Sequence, residues 1–207
     1  MRGLIGREGL ETERLSATAR RMARARHALE LRAVAVARAL VRDGAPGALE
    51  IDRDGLAGIE AETRLRLLAG ALKWIATSPY RPREHALEEA LDRLDGGGTV
   101  SLHGCLAIPR GPRLWICREP QAVAETTAPV GGLWDGRWRV TGPGGEVRAL
   151  GAEGLLAQGR PDHPAPVQVW QGLPAVNGSS PVIAGNGEYT ATLLPPSGPF
   201  GDSLLSH

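Results

Sequence analysis

The chain has 207 residues, 42% of them hydrophobic and 23% charged, with a formal net charge of +1. This suits one or two compact, globular domains with a substantial core and excludes a disulfide framework, since the only cysteines are Cys105 and Cys117. No signal peptide is visible, and no apolar run is long and uncharged enough to span a bilayer, so a reducing cytoplasm is the expected location, with no membrane partner.

The first 43 residues carry ten arginines and five acidic residues, so a polyanionic partner would be steered there. Lys73 is the single lysine, and Ala, Gly and Pro are abundant. That pattern follows from a GC-rich genome, so arginine content alone is a weak binding signal. A solvated helix face is the plainer reading of the same charges.

Leu15, Met22, Leu29, Val36 and Leu40 recur at helical steps, which predicts one long amphipathic helix over 10–42. Thr12 is placed to cap its start, and Asp43, Gly44 and Pro46 to stop it. Ala48–Asp52 reads as extended, with Asp52 or Asp54 capping a short helix through Ile59. A helix over about 60–76 turns Ile59, Leu65, Leu68, Leu72 and Ile75 inward. "TSPYRPREH" breaks it, and Pro82 fits the first turn of the next helix, about 83–94, which buries Leu87, Leu91 and Leu94. "DGGG" at 95–98 ends the helical part.

Beyond it the pattern becomes β-like. "TVSLHGCLAI" and "RLWICRE" read as a hairpin joined by "PRGP". "LWDGRWRV" reads as a second, turning at Asp135-Gly136. "VQVW" and "PVIAG" are short extended or helical fragments in a Pro- and Gly-rich tail, and the last dozen residues are poor in apolar side chains for an ordered segment. The expected fold class is α+β: a helical domain over 1–95 led by the long helix, then a small β-rich domain of hairpins over 96–207.

Three kinds of chemistry are worth weighing. His103, Cys105 and Cys117 are soft metal ligands, but a structural zinc site needs four, so two small buried thiols on adjacent strands is the simpler account. No G-x-S-x-G and no phosphate-binding P-loop occurs. Arginines interleaved with aromatics remain: Tyr80, Arg81 and Arg83; Arg110 and Arg113; and Trp134, Arg137, Trp138 and Arg139. Arginine contacts phosphate and an exposed ring stacks on a base, although scarce tryptophans are also what a core would take.

"EGLETERLSATARRMARARHALE", "RLRLLAGALKWIATSPYRPR", "GTVSLHGCLAIPRGPRLWICREP", "LWDGRWRV" and the ending "YTATLLPPSGPFGDSLLSH" occur in an order that resembles the C-terminal part of the tRNA(Ile)-lysidine synthases, of the alphaproteobacterial type. The resemblance runs through nearly the whole chain. It implies a family that uses ATP to adenylate C2 of the wobble cytidine of a tRNA(Ile) with a CAU anticodon, then ligates lysine there. Residues 1–95 would be a helical linker and substrate-binding domain. Arg20, Arg21, Arg24, Arg81, Arg83, Arg110 and Arg113 are the candidate tRNA contacts.

The family's adenylation domain carries an S-G-G-x-D-S loop, and these residues contain none. The nearest stretch, Gly131-Gly-Leu-Trp-Asp135, lacks both serines and has the wrong spacing. No catalytic, ATP- or lysine-binding residue is therefore carried over. No cofactor is expected in this chain, ATP and magnesium belonging to the adenylation domain, and Met1 is read as an internal start, a split gene or a truncation. The partner could then be a separate adenylation domain. Two other readings stay open: a protein-interaction remnant without tRNA affinity, and an enzyme built on His103, Cys105 and Cys117.

Overall fold

The computed structural model describes residues 4–176, 180–181 and 188–205. It opens on α1 (Leu4–Leu40), a helix of 37 residues. At a rise of about 1.5 Å per residue this is a rod roughly 55 Å long. Among its described side chains only the last third packs: Ala33, Val34, Val36 and Ala37 are buried, while Leu15 and Met22 are 72% and 70% exposed. The expected helical stripe is thus correct in period, but it is bare at Leu15 and Met22.

The stop after Leu40 leads into a strand pair, β1 (Val41–Ala45) and β2 (Ala48–Asp52). The Asp52 carboxylate accepts from the Gly55 amide at 3.1 Å and so caps α2 (Arg53–Ala57). α3 (Ala61–Ala76) buries Leu67, Leu68, Leu72 and Ile75, and α4 (Glu84–Asp95) buries Leu87, Leu91 and Leu94. Arg83 is the N-cap of α4, so Pro82 stands just outside that helix rather than in its first turn.

"TVSLHGCLAI" is two strands and not one. β3 (Val100–Leu102) and β4 (Cys105–Arg110) are joined by a two-residue turn in which His103 and Gly104 take φ of 60° and 69°. Positive φ at both central residues is the mirror-image turn that suits the right-handed twist of a hairpin. β4 then pairs with β5 (Arg113–Arg118), as expected.

These strands form one antiparallel sheet in the order β1-β2-β5-β4-β3, with Leu49 opposite Ile116. The expected boundary near Asp95–Gly98 falls inside this sheet, which takes two strands from the helical first half. Alternation along β5 explains the arrangement: Leu114 and Ile116 enter the core under α3 and α4, whereas Trp115 and Cys117 enter a second core on the other face. A strand buried on both faces reads as a continuous apolar run, as "LWIC" does.

The second core is covered by α5 (Pro120–Val123), β6 (Ala128–Pro129), β7 (Leu133–Trp134), β8 (Trp138–Thr141), β9 (Glu146–Ala149), α6 (Gly151–Gln158), α7 (Val167–Gln171), β10 (Pro174–Val176), β11 (Ser180–Pro181) and β12 (Thr190–Leu193). They form sheets ordered β11-β10-β9-β6 and β12-β8-β7. Most of "PVIAG" lies outside the described residues. The tail corrects the expectation of disorder through Leu205: α8 (Phe200–Ser203) buries Phe200 and Leu204 against α3. Phe200 meets Trp74 edge to face at 6.1 Å, and a Cβ on Gly70 would collide with Leu204.

Arg137 ties the two cores together. Trp134 pairs with Trp138 across the Asp135-Gly136 turn, which leaves Arg137 as an extra residue that bulges inward. Its Nη1 donates to the Ile75 carbonyl at 2.8 Å, its Nη2 donates to the Gly47 carbonyl, and the guanidinium lies 5.8 Å from the rings of both Trp74 and Trp138. Ile75 sits in the last turn of α3, and the residue four on is Pro79, which has no N–H to give. Arg137 supplies the missing donor.

Candidate nucleic-acid interface

All five tryptophans are buried, from 1% exposed for Trp115 and Trp134 to 8% for Trp170. None of them presents a ring to a base, and Arg137 is 2% exposed. The reading of "WDGRWRV" as an arginine and aromatic contact surface is therefore overturned, because the bulge turns Arg137 inward between two rings. Tyr80 is different: it is 77% exposed, in the α3–α4 connection, beside Arg81 and Arg83.

The seven candidate arginines fall in three places. Arg20, Arg21 and Arg24 lie on the bare part of α1, exposed and without an ion pair among the described residues. Arg81 and Arg83 are exposed at the entrance to α4. Arg110 and Arg113 stand elsewhere, at the tip of the β4–β5 hairpin. Arg113 pairs across the sheet with Glu50 at 2.9 Å and reaches Asp52 at 3.9 Å, and Arg110 Nη1 donates to the Ala165 carbonyl at 3.4 Å. These two already have partners within the protein.

The fold also gathers cations that pattern reading missed. Arg26 on α1 and Arg66 and Lys73 on α3 join Arg81. Arg26 is answered by Glu30 at 2.7 Å and Arg66 by Glu62 at 2.6 Å, both one helical turn away. Burial, and then the nearby Arg66 and Arg26 guanidinia, pull the Arg81 pKa below its ordinary value. The signal available in the sequence was the i,i+7 spacing of Arg66 and Lys73, which puts both on one edge of α3. The outer face of α4, by contrast, exposes Glu84, Glu88, Glu89 and Asp92, and a polyanion would avoid it.

Cys105 and Cys117 cannot share a metal. Cys105 faces the helical core and Cys117 the other core, and burial pushes both thiols up to about 12. Among the described residues no group of three His, Cys, Asp or Glu side chains is placed to hold a metal ion. The reading as an enzyme built on His103, Cys105 and Cys117 falls with that geometry.

Over 211 aligned residues the chain is 39% identical to a tRNA(Ile)-lysidine synthase from Ruegeria pomeroyi, an alignment that takes in 96% of the chain. The chain is related to a tRNA(Ile)-lysidine synthase. It spans 49% of that synthase's length. No family model and no solved structure matches it. The stretch nearest to a synthase S-G-G-x-D-S loop, 131–135, runs through β7 into a hairpin turn, and the Asp135 carboxylate is taken by Arg118 at 3.0 and 3.1 Å. A nucleotide-binding loop opens onto a helix instead, so these residues do not fit ATP and magnesium. No described helix is long and apolar enough to cross a membrane.

Proposed function

We propose that this chain is a tRNA-recognition region of a tRNA(Ile)-lysidine synthase, acting on a tRNA(Ile) with a CAU anticodon in the cytoplasm. The observation that carries the reading is the 39% identity across 96% of the chain. Adenylation, with its ATP and magnesium, belongs to a domain bearing S-G-G-x-D-S, for which these residues offer no counterpart. This region is not catalytic alone; it binds and orients the RNA for that partner.

The arrangement supports the reading in two ways. Arg20, Arg21 and Arg24 are held on a stiff helix without a carboxylate partner among the described residues, so they meet phosphate at little cost in lost ion pairs. Tyr80, exposed between two cation-bearing segments, is placed to stack on an unpaired base, as bases in a loop are. Arg81 and Arg83 follow it in the chain.

The test is binding of tRNA(Ile) to the 207-residue chain at several salt concentrations, with and without an added adenylation domain. Changing Arg20, Arg21 and Arg24 together to Gln should weaken binding and flatten the logarithmic salt slope by about 0.7–0.9 per lost phosphate contact. An unchanged slope would remove those three from the interface. A second reading, a protein-binding module, is favoured only by the bare Leu15 and Met22 on α1. It requires that tRNA not bind at all.

A further inference from the structure

Between α1, α3, the Tyr80–Arg81 connection and the tail lies a cavity of about 40 Å³ lined by Glu30, Arg66, Lys73, Trp74, Arg81 and Ser197. Its four sequence segments are far apart in the chain, and the tail closes it: the Trp74 indole N–H donates to the Gly198 carbonyl at 2.9 Å, and Leu204 packs over Gly70.

The charges here do not balance. Glu30 answers Arg26 and Glu62 answers Arg66, which leaves Lys73 and Arg81 with no ion pair among the described residues. Two positive charges thus face a small space whose wall also holds the ion-paired Glu30 and Arg66, Ser197 and Ser203, and an apolar part from Ala33, Gly70, Trp74 and Leu204. That apolar part weakens screening and strengthens attraction for an anion.

Size narrows the ligand. A water needs about 10–15 Å³ of such space, so the cavity holds about three waters, the room of a phosphate group and too little for a nucleobase. We propose that this cavity binds one phosphate group between Lys73 and Arg81. That the phosphate is one of an RNA backbone rests on the tRNA reading above; a free phosphate has the same chemistry.

The experiment uses the full chain, the single variants Lys73→Gln and Arg81→Gln, their double variant, and Arg93→Gln on the outer face of α4 as a control. Thermal midpoints are measured with millimolar inorganic phosphate and with chloride of equal ionic strength, and tRNA binding is measured as a function of salt. Phosphate should raise the midpoint of the wild type and of Arg93→Gln, and not that of the double variant. Without phosphate the double variant should melt no lower than wild type, since repulsion is relieved. Its tRNA salt slope should fall by about one phosphate contact, 0.7–0.9.

Equal phosphate shifts in wild type and double variant overturn the site, as does a wild-type midpoint that phosphate moves no more than chloride. A lost phosphate shift with an unchanged salt slope keeps the site and overturns RNA as its source. If the wild type binds no tRNA, the tRNA reading fails while the phosphate shifts still decide the cavity.

Discussion

Replacing Arg137 with Met tests how the two cores are joined. Met keeps most of the unbranched stem but removes the guanidinium, leaving the Ile75 and Gly47 carbonyls without their donor and Trp74 and Trp138 without the cation between them. Each hydrogen bond to a charged donor contributes about 1.5–3 kcal/mol, and each ring contact about 0.5–1. Against this stands the relief of a buried charge, which is substantial, since burial pushes the Arg137 pKa down to about 10. Stranded acceptors weigh more than that relief, and we expect a net loss of about 3 kcal/mol. For a chain of this size that lowers the midpoint by roughly 6–12 °C.

Asp135 adds a pH signature. Burial already raises its pKa, and removing Arg137 takes away one of the two cations that offset this, Arg118 being the other. Ionising Asp135 then costs the native variant more than its unfolded chain. The deficit should be full at neutral pH and shrink as pH falls through the raised Asp135 pKa. Urea unfolding of both proteins at pH 7 and near pH 5 measures it. A variant as stable as wild type, or more so, would refute the argument, because desolvation of the charge would then outweigh everything Arg137 binds.

His103→Asn should stabilise by about 0.5 kcal/mol, because Asn tolerates φ of 60° better and the buried, unpartnered His103 Nε2 is removed; a lower melting midpoint would count against this turn assignment. Phe200→Ala should cost about 3 kcal/mol by urea unfolding, since the ring fills the helical core against Trp74, and a loss under 1 kcal/mol would show that the tail does not pack. The thiols give a second pH effect. Their raised native pKa values mean that, from pH 9 up, the unfolded chain ionises while the native one does not, so stability falls as pH rises. Cys105→Ala/Cys117→Ala should reduce that fall between pH 9 and 10; equal slopes in the two proteins would mean that the thiols are reachable by solvent.

Local periodicity and turn chemistry were legible in the chain itself. Helical spacing of Leu68, Leu72 and Ile75, the Asp52 cap, the "DGGG" stop and the "PRGP" and Asp135-Gly136 hairpins all follow from side-chain shape and backbone preference over a few residues. So does the charge of α1. The family resemblance was legible for the same reason, since it lies in the order of such segments.

Long-range placement was not. Period alone shows which face of α1 is apolar, and it cannot show that Ala33 is covered while Leu15 is bare, because cover is supplied by α3 and α8. Alternation in "RLWICR" is the same whether one face or both are buried, and only the pairing of β2 with β5 brings the helical half into the sheet. Arg137 reads as a surface cation until the three-residue loop between the paired Trp134 and Trp138 turns it inward. The cavity at Lys73 and Arg81 depends on a tail whose few apolar residues, Phe200 and Leu204, were too sparse to show periodicity. Tertiary structure decided these because each depends on what a side chain meets across the fold, and not on its neighbours in the chain.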